Sequence, residues 1–225
     1  SMFQSESTGT FAFKNVKFRN FTTGSAILTC KTSTSGTFTL ENVTFENCSP
    51  TTALIVRDKA ENDKINLAGT LTFSNCSVDN HISTAGRIKV TESGFTPSET
   101  VKVVTTIAAG SVVVLSDINN TNLLTSFNVT NSDLGLLCGG TNHTNELQAA
   151  QAYTLSVTDA GAATLVLPFT ATIPAGVECY TLTHTSGSST VSATKVATET
   201  LSANTPVLVE ATEGNYKFVT TTTGT

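Results

Sequence analysis

The chain has few charges and none of the long apolar segments that cross membranes. It contains 225 residues with no tryptophan and one methionine, and only 13% of the residues are charged. No apolar run approaches the roughly 20 residues of a membrane-spanning helix, so we expect no membrane span. The net charge of −5 argues against a general electrostatic attraction to nucleic acid or anionic membranes. We therefore expect no nucleic-acid partner.

Motifs that carry enzyme chemistry are also missing. The sequence has no HExxH, Walker loop, GxSxG elbow or EF-hand loop, so it predicts no catalytic residue and no cofactor. The three histidines, His81, His143 and His184, are far apart, and none stands beside a paired carboxylate. We interpret each as a surface or turn histidine rather than a general base. The chain is predicted not to be an enzyme.

Metal sites have little support. Asp58, Glu61 and Asp63 could gather around Ca²⁺, since hard cations prefer several oxygen ligands. An arginine and two lysines lie in the same run, residues 57–64, and oppose that reading. We expect no metal there and interpret the run as a solvated loop.

The five cysteines do not form a recognisable framework. Cys30, Cys48, Cys76, Cys138 and Cys179 are widely spaced, odd in number and without a CxxC pair. Neither a disulfide scaffold nor a zinc cluster fits this pattern. We expect buried free thiols that behave as small apolar side chains.

The clearest positive feature is a repeat. KFRNFT at 17–22, TFENCS at 44–49 and TFSNCS at 72–77 carry Phe18, Phe45 and Phe73 at an almost constant spacing. Apolar and polar residues alternate within each copy, which indicates strands with one buried face. Units of this length suit a solenoid whose coils share one core. The sequence predicts a short right-handed parallel β-helix, clear over residues 9–84 and looser over 85–147.

The repeat assigns structural roles to six residues. We expect Phe18, Phe45 and Phe73 to stack inside the coils. Asn20, Asn47 and Asn75 should occupy a bend, where asparagine tolerates the left-handed conformation and its amide can bond to the amide of the next coil. Phe21 replaces cysteine in the first copy, so the Cys48 and Cys76 row needs an apolar filler. Advancing from Phe73 by twice the coil length reaches Phe127, which extends the row.

These repeats support a resemblance. The Phe-x-Asn segment of residues 18–20, followed by the turn and aliphatic pair at 24–27, resembles the repeats of bacterial β-helix surface proteins, including outer-membrane adhesins and pectate-lyase-like solenoids. That resemblance implies a surface or secreted location and, in some members, carbohydrate chemistry. The outward positions of residues 17–19, 44–46 and 72–74 do not converge on one charge type, which does not favour catalysis.

The sequence after Glu146 follows a different pattern. Residues 147–152, LQAAQA, could form a helical turn or an alanine-rich connector. Short alternating segments with Pro168, Pro174 and Pro206 then predict a small antiparallel, sandwich-like domain. The division expected is 1–148 for the β-helix and 149–225 for this domain. The order ATLVLPF, IPAGVECY, ANTPVLV and GNYKF is similar to a β module of Bacteroidetes surface proteins, which implies location rather than activity.

Together these features predict an all-β protein that is exported to the cell surface or secreted, with any signal peptide outside this sequence. The leading hypothesis is non-catalytic adhesion or glycan binding by a monomer, with a host or dietary glycan or a matrix protein as partner. A carbohydrate-active enzyme fragment remains an alternative on fold analogy. A structural spacer or cap of a larger surface protein is the other.

Overall fold

A computed structural model describes residues 1–5, 10–30, 37–57, 64–107, 121–140, 143–187 and 189–221. The chain divides into two compact units. One consists of Ser1–Asn131 and Leu136–Ala149, and the other of Ser132–Gly135 and Ala150–Thr225. We call them the solenoid unit and the C-terminal unit.

The described part of the solenoid unit is built almost entirely of strands. A 3-10 helix covers Thr121–Ser126. The strands of the solenoid unit are β1 (Phe3–Ser5), β2 (Thr10–Lys14), β3 (Lys17–Arg19), β4 (Leu28–Cys30), β5 (Thr37–Glu46), β6 (Ile55–Arg57), β7 (Lys64–Ser74), β8 (Ile82–Thr84), β9 (Arg87–Pro97), β10 (Val101–Thr105) and β11 (Phe127–Val129). Two later strands, β12 (Leu134–Cys138) and β13 (Glu146–Val157), have residues in both units.

Successive coils pair in parallel and in register. Leu28 of β4 lies beside Ile55 of β6, and Ile55 lies beside Ile82 of β8, so equivalent positions are equally spaced along the chain. On the other sheet, β2 pairs with β5 and β5 with β7. A constant step places equivalent positions in one row, which lets neighbouring coils share a continuous core.

The long strands bend because one residue adopts a left-handed conformation. Asn42 in β5 has φ of 54° and Gly69 in β7 has φ of 58°. Glycine and asparagine adopt positive φ at the lowest cost. The pairing of β5 with β7 shifts at this point, between Glu41 and Val43. Each long strand therefore covers two faces of its coil.

Alternate residues of these strands fill the core. Phe38, Leu40, Val43 and Phe45 point inward from β5 and are all buried. Ile65, Leu67, Leu71 and Phe73 in β7 also point inward and are buried. Burying one such side chain contributes about 1.5–3 kcal/mol, so the strict alternation is the main source of stability for the coils.

The coil step shortens after the third coil. β7 pairs with β9, and β8 pairs with β10, at smaller offsets along the chain than those between the earlier coils; Ile82, for example, lies beside Val103. The prediction that Phe127 continues the row of Phe73 is therefore wrong. Phe127 lies in β11 on the other sheet and stacks on Phe95, with ring centroids 5.7 Å apart.

The charged run at residues 57–64 is not a solvated loop at either end. Arg57 ends β6 and is fully buried, and its Nη1 donates to the carbonyl of Cys30 at 3.3 Å. Lys64 begins β7. Residues 58–63, and with them Asp58, Glu61 and Asp63 of the calcium hypothesis, lie outside the described residues.

The C-terminal unit is formed by antiparallel sheets. Strands β14, β19, β16 and β17 form one sheet in that order, β15 pairs with β18, and β20 pairs with β13. Pro168, Pro174 and Pro206 lie outside the strands. The bounds are β14 (Ala162–Leu165), β15 (Ala171–Thr172), β16 (Glu178–His184), β17 (Val191–Lys195), β18 (Thr200–Leu201), β19 (Val207–Glu210) and β20 (Gly214–Val219).

Residues 147–152 are extended rather than helical, which corrects the expectation of a helical turn. They belong to β13, where Leu147 pairs with Ile88 of β9 and Ala152 pairs with Val219 of β20. Alanine favours helices only weakly, and tertiary context routinely overrides that preference. Here the strand ladders on β9 and β20 satisfy the backbone instead.

The predicted fold class is confirmed. The protein is nearly all-β, with a parallel β-solenoid of about three turns and additional antiparallel sheets.

Candidate functional site

A polar cluster lies on the outward side of the last solenoid strands. Lys64 in β7 pairs in register with Arg87 in β9, while Lys89 in β9 pairs with Glu146 in β13. Because side chains alternate along a strand, the intervening residues point inward, and Ile88 is buried. We call Lys64, Arg87, Lys89, His143, Glu146 and Gln148 the Glu146 cluster.

Glu146 is the centre of the cluster and is 1% exposed. Its Oε1 accepts a hydrogen bond from Lys64 Nζ at 2.5 Å, and its Oε2 lies 2.9 Å from Nδ1 of His143. Nitrogens of Arg87 and Lys89 lie 3.9 and 3.8 Å from the carboxylate oxygens. Burial raises the pKa of Glu146, but the hydrogen bonds from Lys64 and His143 outweigh it and hold the pKa below its usual value. The carboxylate is therefore ionised at neutral pH.

His143 is held between a carboxylate and a guanidinium. Arg87 Nη1 lies 2.9 Å from Nδ1 and 3.0 Å from Nε2 of the ring. An atom this close to both nitrogens would collide with Cε1 if it lay in the ring plane, so Nη1 lies over the ring face. Because Nδ1–H donates to Glu146, Nδ1 has no lone pair left to accept from Arg87.

Further contacts hold this arrangement in place. Arg87 Nε donates to Oε1 of Gln148 at 3.2 Å. The backbone N–H of Glu146 donates to the carbonyl of His143 at 3.0 Å, which closes the turn that carries the histidine over the sheet. Charge-assisted hydrogen bonds, such as those of Lys64 and Arg87, are shorter and stronger than neutral ones. The cluster is thus organised before any ligand arrives.

The cluster has more positive than negative charge. Three cations surround one carboxylate, and the ammonium-bearing side chains are its most open part: Lys89 is 43% exposed and Lys64 is 30% exposed. The whole chain has a net charge of −5, so this is a local positive patch on an acidic protein. Such a patch can accept an anion at its surface.

Among the described residues, no three His, Cys, Asp or Glu side chains come together as a metal site. No described helix is long and apolar enough to cross a bilayer.

The residues assigned to the structural rows are found in register. Phe18 and Phe45 stack with ring centroids 5.3 Å apart, and Phe45 and Phe73 stack at 6.1 Å, both close to parallel. All three rings are buried. These contacts hold neighbouring coils together and leave no part of the rings for a ligand.

The asparagine row forms a hydrogen-bonded ladder. Asn47 Nδ2 donates to Oδ1 of Asn20 at 3.2 Å, and Asn75 Nδ2 donates to Oδ1 of Asn47 at 2.8 Å. All three residues have positive φ between 52° and 57°. The ladder satisfies polar groups at the bend and is structural in character.

A second, shorter ladder lies at the other bend. Asn42 Nδ2 donates to Oδ1 of Asn15 at 3.1 Å, and Asn42 Oδ1 accepts the backbone N–H of Thr70 at 3.0 Å. Glycine suits position 69, because its φ is 58° and a Cβ there would lie 2.2 Å from Asn42 Oδ1 and displace that side chain from the ladder. The matching Asn-Val pairs at 15–16 and 42–43 are the sequence signal for this ladder.

The five cysteines, all within the described residues, are not joined in disulfides. Four of the five cysteines are buried, and Cys76 is half-buried. Burial raises the pKa of the Cys138 thiol to about 11 and also raises the pKa of Cys76. Thiols with raised pKa values are poor nucleophiles at neutral pH, which fits a packing role.

The histidines correct one prediction. His81 is neither at the surface nor in an open turn: it is buried and stacks on Phe73 with ring centroids 3.8 Å apart. Its Nδ1 accepts the backbone N–H of Lys102 at 3.1 Å. Burial, and then the charge of Lys102, lower the pKa of His81 to about 4. His143 lies in a turn, where it contacts a carboxylate that the sequence did not reveal, and His184 is exposed at the end of β16.

The C-terminal unit offers a weaker candidate. An open groove of about 430 Å³ is lined by residues such as Ile173, Val177, Glu178 and Lys195. The Glu178–Lys195 ion pair spans 2.6 Å, but both side chains are about half exposed. Exposed pairs of this kind are weak, and the groove lacks the buried, mutually oriented groups of the Glu146 cluster.

Sequence reasoning missed the Glu146 cluster. The signals were present: Arg87-Ile88-Lys89 alternates basic and apolar residues, and His143 stands close before Glu146 in the chain. They could not be aligned because β7 and β9 pair at a shorter offset than the earlier coils do, and because β13 joins the sheet antiparallel.

Comparison with known proteins finds no relative: no protein-family model, no curated protein and no solved structure matches the chain.

Proposed function

We propose that the chain is a non-catalytic binding protein and that the solenoid unit holds an acidic polysaccharide against the Glu146 cluster. The observation that carries this proposal is the grouping of Lys64, Arg87 and Lys89 around a single buried carboxylate. Three cations against one carboxylate leave two positive charges uncompensated. A carboxylate or sulfate group of a sugar would compensate them.

The role of Glu146 in this proposal is to organise the cations. Its carboxylate already accepts hydrogen bonds from Lys64 and His143, so it fixes where the ammonium and imidazole groups lie. Preorganised charged groups lose less side-chain entropy when a ligand binds. The more exposed ammonium of Lys89, 3.8 Å from Glu146, has the greater freedom to contact an incoming anion.

The neighbouring outward positions suit an extended, hydroxyl-rich ligand. Thr39, Asn66 and Lys89 are register neighbours on β5, β7 and β9. Asn66 Nδ2 donates to Oγ1 of Thr39 at 3.4 Å and its Oδ1 is buried, so the amide orients the Thr39 hydroxyl. A polysaccharide that crosses the strands would meet this hydroxyl before reaching the cations, which supports a polymer rather than a small anion.

A location at the cell surface or outside the cell, in an adhesion role, is part of this proposal. It rests on the resemblance of the repeats to β-helix surface proteins and of residues 153–219 to a Bacteroidetes surface module. A host or dietary glycan and a matrix polysaccharide both carry the required acidic groups.

Glycan titration with matched variants tests the proposal. We expect the protein to bind polygalacturonate or chondroitin sulfate but not neutral dextran, and to bind less tightly at high salt because exposed charges are screened. Lys89→Gln should weaken binding about fivefold, corresponding to the loss of about 1 kcal/mol. Lys195→Gln is the matched control, since it also removes an exposed strand lysine that is paired with a glutamate.

Three results would count against the proposal. Equal binding of neutral and acidic glycans would remove the role of charge. Unchanged affinity in Lys89→Gln would mean that the glycan binds at another site. No binding of any acidic glycan by the wild-type protein would end the glycan hypothesis for this chain.

One observation favours a second candidate, a carbohydrate-active enzyme. A histidine that donates Nδ1–H to a carboxylate is held in the tautomer whose Nε2 can accept a proton, and His143 contacts Glu146 in this way at 2.9 Å. Incubation with the same acidic glycans separates the two functions. Reducing or unsaturated ends that form with the wild-type protein, and are lost with His143→Gln, would establish the enzyme and contradict non-catalytic binding.

A further inference from the structure

The Glu146 cluster contains one side chain of the type that changes charge near neutral pH. An imidazole in water gains a proton between pH 5 and pH 8, whereas ordinary lysine, arginine and carboxyl groups keep their charge over that range. His143 is 28% exposed, so solvent reaches its ring. The charge of the cluster can therefore rise by one when His143 takes up a proton.

The contacts of His143 decide which ring nitrogen takes the proton. Nδ1 lies 2.9 Å from Oε2 of Glu146, and an ionised carboxylate only accepts hydrogen bonds, so Nδ1 carries the hydrogen of this contact. Nε2 is then the unprotonated nitrogen of the neutral ring. It lies 3.0 Å from Nη1 of Arg87. A proton added at Nε2 thus arrives beside a guanidinium.

Protonation makes the contact between His143 and Arg87 repulsive. Arg87 Nη1 lies 2.9 Å from one ring nitrogen and 3.0 Å from the other. The Arg87 side chain is only 13% exposed, and two positive charges repel each other more strongly where little water separates them. The repulsion is relieved when the guanidinium moves away from the ring.

Arg87 has a fixed point about which its end can turn. Its Nε donates to Oε1 of Gln148 at 3.2 Å, and this hydrogen bond does not involve His143. The two terminal nitrogens can move outward while Nε keeps its partner. A guanidinium released in this way offers parallel N–H donors, the arrangement that binds an oxyanion through two hydrogen bonds.

The charges around His143 set the direction of the effect. Among the described residues, the charged groups that surround the ring are Lys64 from β7, Arg87 and Lys89 from β9, and Glu146 from β13. The three cations oppose a further positive charge, and the one carboxylate favours it. A bound anion adds a second negative charge, which favours protonation. Because linkage is reciprocal, protonation then favours binding of the anion.

We propose that binding of an acidic glycan at the Glu146 cluster is coupled to the uptake of one proton by His143, which releases Arg87 from the imidazole to contact the anion. This inference rests on the proposed function and adds its regulation. The bound state holds more protons than the free state, so affinity rises as the pH falls. One linked proton changes the affinity by at most about tenfold per pH unit.

Titration with chondroitin sulfate at pH 8, pH 7 and pH 6 tests the coupling, because the sulfate group stays ionised throughout. We expect the wild-type dissociation constant to fall about three- to tenfold from pH 8 to pH 6. His143→Gln should bind with the same affinity at all three pH values. His184→Gln is the matched control: it removes an exposed histidine at the end of β16 and should keep the full pH dependence.

A second measurement uses the wild-type protein alone. Calorimetric titration at pH 7 in two buffers of different ionisation enthalpy counts the protons exchanged on binding, and we expect a net uptake. Equal affinity at pH 6 and pH 8, the absence of proton uptake, or an unchanged pH dependence in His143→Gln would overturn the coupling and leave glycan binding intact. A wild-type protein that binds neither chondroitin sulfate nor polygalacturonate at any of these pH values overturns the proposed function, and the coupling with it.

Discussion

The solenoid unit and the C-terminal unit use similar residues in different ways. In the solenoid, a side chain has an equivalent neighbour one coil away, so Asn47 both donates to Asn20 and accepts from Asn75. Asn204 in the C-terminal unit has nearly the same positive φ, 56° against 54°. Its antiparallel surroundings provide no row of matching amides among the described residues. Parallel stacking therefore turns a bend residue into part of a repeated bonding network.

Ion pairs show the same contrast. Glu146 is enclosed by cations from neighbouring strands of the solenoid unit, whereas Glu178 meets Lys195 at an open surface of the C-terminal unit. Both pairs have short contacts, 2.5 and 2.6 Å. Burial rather than distance separates them, because water screens the exposed pair.

We expect the largest loss of stability when the lysine of the buried ion pair in the solenoid unit is replaced, with the lysine of the exposed pair in the C-terminal unit as the comparison. Lys64→Gln leaves the buried carboxylate of Glu146 with fewer partners and should lower the free energy of unfolding by about 3 kcal/mol. Lys195→Gln should lower it by less than about 1 kcal/mol, since that pair is exposed. Urea denaturation of both variants measures the difference. Equal losses would mean that Glu146 is not electrostatically isolated from water.

A smaller loss of stability is expected when the pH is lowered, because the solenoid unit buries a histidine. The pKa of His81 is about 4 in the folded state, below the ordinary pKa of about 6.5 in the unfolded chain. Between these two values the unfolded state binds the proton and the folded state does not, so stability falls as the pH falls. The loss should reach about 2 kcal/mol at pH 5 relative to pH 8.

Urea denaturation across this pH range checks the expectation, with His81→Phe as the control that keeps a ring on Phe73 and removes the titration. The charged groups near His81 are Lys102 and Glu99, whose Oε1 lies 3.9 Å from Nε2. Protonation of Glu146 reduces stability only at lower pH, because the pKa of this carboxyl group is below its usual value. A stability curve of the wild-type protein that is flat from pH 8 to pH 5 would contradict the assignment.

The smallest loss of stability is expected from removing the hydrogen bonds of the asparagine ladder. Glycine adopts positive φ freely, so Asn47→Gly and Asn204→Gly carry the same backbone cost. Asn47→Gly also removes two ladder hydrogen bonds, each worth about 1 kcal/mol. We expect it to be about 1–2 kcal/mol more destabilising in thermal or urea unfolding. If the two substitutions cost the same, the ladder contributes no net stability.

The rows of Phe18, Phe45 and Phe73 could be predicted because the coil step is nearly constant there. A fixed step converts sequence spacing directly into spatial neighbours. The Glu146 cluster could not be found in this way, because its members come from coils of unequal length and from an antiparallel strand. His81 was misread for a related reason: its stacking partner Phe73 comes from the long strand of the coil before it, and burial is not visible in a turn-like sequence.

The alanine-rich segment at residues 147–152 shows the limit of local preference. Its composition favours a helix, and only the partner strands β9 and β20 make it extended. In the C-terminal unit, by contrast, Pro168, Pro174 and Pro206 lie outside the strands, because a residue without a backbone N–H cannot donate within a central ladder.

The most direct test of the proposed function is a map of backbone amide chemical shifts during titration with an acidic oligosaccharide such as oligogalacturonate. We expect the largest changes at Lys64, Arg87, Lys89, His143 and Glu146, and we expect them to disappear in high salt. Changes confined to the antiparallel sheets of the C-terminal unit, or no saturable change at all, would contradict it.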